Sequence, residues 1–289
     1  MIVETRDIEP HNPAREAKIL LNLLRQDSQN NNHIIPLLET FRDQEQRFVL
    51  AFPYMPLTLA TLLDSAKSTS TPLPTPLTRR LFTQLFDALS YIHSNTHGAN
   101  GGIIHRDIKP SAVLLASPDG PAYLSDFGTA WHPTLSAHSE PADSKILDIG
   151  TGPYRAPEVL FGNKSYGTAV DMWGAGCMLA ECCRRPVPKP LFESRPVHED
   201  GNQLGLILSI FKTIGSPTRE SWPEAASFKT PPFEMYRAFD HRPWDVVLPD
   251  VDPEWRDLVA KLVKYDGSRW TADQVSFLQR EVLGSLTEC

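Results

Sequence analysis

The chain has 289 residues, 41% hydrophobic and 22% charged. That content can bury a sizeable core and excludes wholesale disorder. Lys+Arg 28 against Asp+Glu 35 gives a formal net charge of -7, which argues against sequence-independent nucleic-acid binding, since that needs clustered positive charge.

Residues 14–25, AREAKILLNLLR, place Ile19, Leu20, Leu23 and Leu24 at helical spacing, and Pro10 and Pro13 precede them. The spacing predicts a helix with one core face. Two apolar runs follow, HIIPLLETF and RFVLAFPYM, with polar RDQEQ between them. They read as an antiparallel strand pair. Residues 64–78, DSAKSTSTPLPTPLT, are rich in Ser, Thr and Pro, and read as a loop and surface spacer. LTRRLFTQLFDALSYIHS, residues 77–94, repeats Leu81, Leu85, Leu89 and Ile92 at helical intervals. Beyond it, TAVDMWGAGCMLAECC, GNQLGLILSIFKTIG and PEWRDLVAKLVK are helical signals broken by Gly and Pro. The pattern is a small, partly β N-terminal part and a larger α-rich remainder.

The cysteines, Cys177, Cys182, Cys183 and Cys289, form no CxxC pair and have no His at zinc spacing. Neither a structural zinc nor a disulfide framework is expected. The opening MIVETRDIEP carries acids and no apolar run, so it does not read as a signal peptide. No apolar run reaches membrane-spanning length. The expectation is a soluble intracellular chain of the nucleus or cytoplasm, with no membrane and no nucleic-acid partner.

The chemistry is concentrated in a series of motifs. Ile104-His105-Arg106-Asp107-Ile108-Lys109-Pro110 is followed by Tyr123-Leu124-Ser125-Asp126-Phe127-Gly128. Then come Tyr154-Arg155-Ala156-Pro157-Glu158, Asp171-Met172-Trp173 and Arg269-Trp270-Thr271-Ala272. Each alone is weak, but together, in this order, the set resembles the protein-kinase signature. The resemblance implies an α+β, bilobal fold for residues 1–289, with a partial β-rich N-lobe over 1–55 and an α-helical C-lobe over 56–289. It implies ATP and Mg²⁺ as cofactors and a protein hydroxyl as acceptor. Asp107 would take or orient the proton of the attacking hydroxyl, and Lys109 would offset charge on the moving phosphoryl group. Asp126 would hold Mg²⁺, which prefers hard oxygen ligands. Thr151 matches the threonine that contacts the catalytic loop, and Glu16 in AREAKIL matches the glutamate of the N-lobe helix. Phe52 would be the gatekeeper, with Pro53, Tyr54 and Met55 as the hinge that meets adenine and Leu114 beneath the ring. Leu20, Leu37, His105 and Phe127 match the regulatory spine, and Glu158 and Arg269 would pair to brace the C-lobe. YRAPEVLFG and LILSIFKTIGSPTRESWPEA resemble the cyclin-dependent-kinase branch, and FPYMPLTL and HNPAREAKIL resemble fungal monomeric CDK-activating kinases. That resemblance implies a cyclin-dependent kinase as protein substrate and a cyclin-type partner.

The chain also departs from the family. The first glycine is Gly98, so no Gly-rich lid precedes the hinge, and residues 1–17 contain no lysine to pair with Glu16. This reads as a shortened form of a longer chain, missing a hairpin and most of a third strand, roughly 30 residues. An open β edge there would be an aggregation liability. Ala112 stands where the family has a metal-binding Asn, and Ser111 beside it points elsewhere in the family pattern. Ile146 stands where the branch has its phosphorylated threonine, which leaves Arg106 without a phosphate and the segment held by packing. Gly152-Pro153 replaces Leu-Trp ahead of Tyr154, a change that bears on any preference for proline-directed substrates. Together these departures make a second reading, a pseudokinase or scaffold without turnover. His93, His97 and His105 read as separate residues, and Cys182-Cys183 as helix core.

Overall fold

Helix α1 (Pro13–Gln26) opens the fold. Asn12 caps it, its Oδ1 accepting the Arg15 N–H at 2.8 Å, and Pro13 occupies the first turn, where no N–H is needed. Ile19, Leu20 and Leu23 are buried, and Leu24 packs half-buried beside them. The computed structural model describes residues 9–26, 32–94, 102–194, 203–233 and 237–276. Cys289 and His97 lie outside them.

Strands β1 (Glu39–Arg42) and β2 (Phe48–Ala51) pair antiparallel, with Glu39 opposite Ala51 and Arg42 opposite Phe48. Asp43 closes the turn by accepting the Glu45 and Arg47 N–H groups, both at 2.9 Å. The predicted pair is present but shorter than its first run. Ile35 N–H donates instead to Leu124 at 2.9 Å, and Leu38 N–H rejoins β2 at Ala51. Pro36 lies between, and without an N–H it cannot continue a ladder.

A three-stranded sheet, β3 (Leu57–Thr58), β4 (Val113–Leu115) and β5 (Ala122–Leu124), pairs antiparallel in that order. Helix α2 (Leu59–Ser68) starts directly from β3 through a capping box. Thr61 N–H donates to Thr58 Oγ1 at 3.1 Å, and Thr58 N–H to Thr61 Oγ1 at 3.0 Å. This corrects the loop expected over 64–78: α2 runs to Ser68 and α3 (Thr75–His93) begins at Thr75. Burial of Leu59, Leu63 and Ala66 outweighs the local Ser/Thr preference for turns, and Pro76 falls in the first turn of α3, where it is tolerated.

Short α4 (Pro157–Leu160) precedes α5 (Ala169–Cys183), which is buried on every side. Two of its glycines allow close approach. A Cβ at Gly174 would stand 2.9 Å from Ile108 O, and one at Gly176 only 2.7 Å from Leu262 Cβ. Helix α6 (Gln203–Ile214), one-turn α7 (Trp244–Val247) and α8 (Pro253–Leu262) complete the helical part, and α8 packs along α5. Helix α5 is therefore both the core of the helical part and the floor of the 105–109 loop.

Candidate active site

Asp171, in the first turn of α5, holds the 105–109 loop by its backbone. Its two oxygens accept the His105 and Arg106 N–H groups, each at 2.8 Å, and Oδ2 also meets His93 Nε2 at 2.9 Å. His105 Nε2 contacts Ser125 O at 2.8 Å, and its ring stands edge-on to Phe127 with centroids 4.9 Å apart. His93 and His105 are thus engaged in separate structural contacts. Leu20, Leu37, His105 and Phe127 are all buried. Arg106 (φ 72) and Asp126 (φ 65) occupy left-handed backbone, which costs a non-glycine residue of order 1–3 kcal/mol. Arg106 directly precedes Asp107, and Asp126 lines the cavity described next.

Asp107 is nearly buried. Its Oδ1 accepts the Thr151 hydroxyl at 2.7 Å, and its Oδ2 pairs with Lys109 Nζ. Lys109 Nζ also lies 3.4 Å from Thr151 Oγ1 and 3.7 Å from Asp126 Oδ2. One ammonium therefore links both aspartates and the threonine. A cavity of about 520 Å³ opens beside them, lined by Glu16, Phe52, Tyr54, Met55, Leu114 and Asp126, with Lys109 and Ser111 at its polar side. This size suits a small-molecule ligand. Tyr54 is 88% exposed and stands at the mouth rather than in the wall. Among the described residues no backbone partner is found for the N–H groups of Tyr54 or Met55, which leaves them open to a ligand.

Every site residue named from sequence lies on this cavity or within one contact of it. Ser111 lines it too. Ala112 is buried, and its carbonyl is taken by Ser125 N–H and Oγ, both at 2.9 Å. The carboxylate that faces the cavity and could take a divalent cation is Asp126, 43% exposed. Mg²⁺ fits it, because that ion takes one or two carboxylates and completes its shell with phosphate oxygens and water.

Glu16 is buried, and among the described residues no cation lies within ion-pair distance of it. A Cβ at Gly128 would stand 3.5 Å from Glu16 Oε2 and 3.7 Å from Asp126 Oδ1, so the two carboxylates crowd one spot. Burial first, then the Asp126 charge, pushes the Glu16 carboxyl up from 4.5 to about 7, against a hydrogen bond from the Phe127 backbone. The folded state then holds a proton that the unfolded chain has released. The contribution of Glu16 to stability is fully present below pH 4.5 and is lost as pH rises through about 7. We expect about 2–3 kcal/mol of stability to be lost across that window and Glu16→Gln to flatten the slope, as read by denaturant melts at several pH values. An unchanged slope in Glu16→Gln would assign the titration to another group.

The sequence pattern of the protein kinase domain matches residues 2–279. The chain belongs to the protein kinase family. Kinases of this family use ATP and a divalent metal, and the fold here is their bilobal α+β fold with a small β part. The Serine/threonine-protein kinase csk1 of Schizosaccharomyces pombe is 34% identical to this kinase over 266 residues, covering 89% of this chain and 76% of that one. Among the described residues no helix is long and apolar enough to cross a membrane.

Two features of this kinase leave no mark in its motifs: the loop-holding contacts of Asp171 and the partner of Arg106. The Arg106 guanidinium meets Glu140, so the 131–150 segment is held by a buried ion pair as well as by packing. Three acids, Glu140, Asp143 and Asp148, lie in that segment, and no local signal selects one. Glu158 and Arg269 pair as expected, at 2.8 and 3.2 Å. The buried thiols are held protonated: burial pushes Cys183 up to about 12 and Cys177 and Cys182 well above the ordinary range, which makes them poor nucleophiles.

Proposed function

We propose that this chain is a serine/threonine kinase of the cyclin-dependent type, whose protein substrate is itself a cyclin-dependent kinase, acting in the nucleus or cytoplasm. The observation that carries this reading is the Asp107–Thr151–Lys109 cluster opening onto the same cavity as Asp126. The relative supports the serine/threonine class, and the fungal-type wording FPYMPLTL supports the finer assignment.

Phe52, Met55 and Leu114 offer apolar surface to adenine, and the N–H groups of Tyr54 and Met55, without a backbone partner among the described residues, are open to the ring edge. Asp126 would hold Mg²⁺, which when bound offsets phosphate charge. Asp107 accepts the proton of the incoming hydroxyl. Thr151, donating to Oδ1, leaves Oδ2 as the working oxygen once Lys109 turns toward the phosphoryl group. Lys109 can make that turn because its ammonium already spans the gap toward Asp126.

A thermal melt with Mg²⁺-ATP tests the site. Ligand at about 100 times its Kd adds about 2.7 kcal/mol, a rise of roughly 5–10 °C in a domain of this size. The rise should disappear in Asp126→Asn. Ala112 in place of an asparagine favours the second reading: a scaffold that keeps the fold without turnover, with a cyclin-type protein as a natural partner. No rise at saturating Mg²⁺-ATP would decide for it.

A further inference from the structure

Arg106 directly precedes the proposed base, and its side chain is fully buried. Its Nε donates to Thr129 O, and its Nη1 reaches Tyr166 Oη at 3.1 Å and pairs with Glu140 Oε1. Glu140 is equally buried, so no solvent separates the two. The same Oε1 accepts the Ile146 N–H at 2.7 Å, and the Ile146 carbonyl accepts the Tyr166 hydroxyl at 2.7 Å. The Glu140 carbonyl accepts Trp131 Nε1 at 2.9 Å. Lys145 sits over the Trp131 and Tyr166 rings, at 4.7 and 5.3 Å from their centroids. Glu140 thus ties the residue before Asp107 to both parts of the segment leading to Thr151, its carboxylate to Ile146 and its backbone carbonyl to Trp131.

As a source of stability the pair is poor. Arg106 Nη2 and Glu140 Oε2 are buried without a hydrogen-bond partner, and a buried pair with unsatisfied atoms barely repays its desolvation. What the pair supplies is position. We propose that Glu140 is a positioning residue for phosphoryl transfer, a built-in anion opposite Arg106 that holds the 131–151 segment and the Arg106–Asp107 turn without an added phosphate. The proposal rests on the kinase reading above. Ile146 cannot carry a phosphate, and the buried Arg106 is closed to one added from solution.

Glu140→Gln keeps the shape and the acceptor for Ile146 N–H but removes the charge. In the full chain, without nucleotide, hydrogen exchange at the Ile146 amide should speed up about tenfold or more. Phosphoryl transfer to a recombinant cyclin-dependent kinase should fall about tenfold in kcat, with KM for ATP changed less than about twofold. Phosphatase treatment of the unsubstituted protein should leave its turnover unchanged. The double variant Arg106→Met with Glu140→Met should regain thermal stability, since an apolar pair replaces a buried ionic one, yet stay slow. Unchanged Ile146 exchange in Glu140→Gln, full turnover in the double variant, or loss of turnover on dephosphorylation would each overturn the proposal. Faster exchange in a protein that never turns over would keep the brace and defeat the enzymatic reading.

Discussion

Asp107→Asn should lower kcat by about 100- to 10,000-fold, the usual contribution of a positioned general base. The amide can still accept from Thr151, so the local geometry has a way to survive. What it cannot do is take a proton at neutral pH. The Mg²⁺-ATP rise in melting temperature should persist, because Asp107 borders the acceptor side while Asp126 faces the cavity. Steady-state kinetics and the melt together separate these effects. Turnover within about threefold of the unsubstituted protein would remove Asp107 from the proton transfer.

Arg269→Leu should cost about 3–5 kcal/mol, because it strands the buried Glu158 carboxylate. Arg269 also donates to Ala169 O at 2.6 Å and to Lys264 O at 2.6 and 3.1 Å, so three carbonyl contacts are lost with the ion pair. Its guanidinium lies 5.1 Å from the Trp173 ring centroid, at the heart of α5. A fall of roughly 10 °C in melting temperature follows. Replacing Glu158 by Met as well should restore much of it, since the stranded charge is the main penalty. A single substitution that lowers the melting temperature by less than about 2 °C would show the pair to be dispensable.

The site was readable before the fold because its residues sit at short, fixed offsets. Asp107 and Lys109 share one loop, and Asp126, Phe127 and Gly128 are consecutive. The helices were readable where apolar spacing was long and regular, as in α1 and α3. Helix α2 was not, because Ser and Thr at its end mimic a loop and its burial against the core carries no local mark. The first strand starts late, after Pro36, for a reason visible in the sequence, yet the partner of Ile35 at Leu124 was not.

The amino-acid order was enough to define the family, to single out Asp107, Asp126 and residues 53–55 as candidates, and to expect the Glu158–Arg269 pair, because all of these are motif residues in fixed order. The fold had to supply the rest: Asp171 reaching across sequence separations of 65 and 66 to hold the loop, and Glu140 meeting Arg106 at a separation of 34. It also put Glu16 beside Asp126, where burial and a like charge raise its affinity for a proton. Such pairings depend on where whole elements pack. Dielectric, desolvation and distance are properties of that packing, and no local pattern in the chain records them.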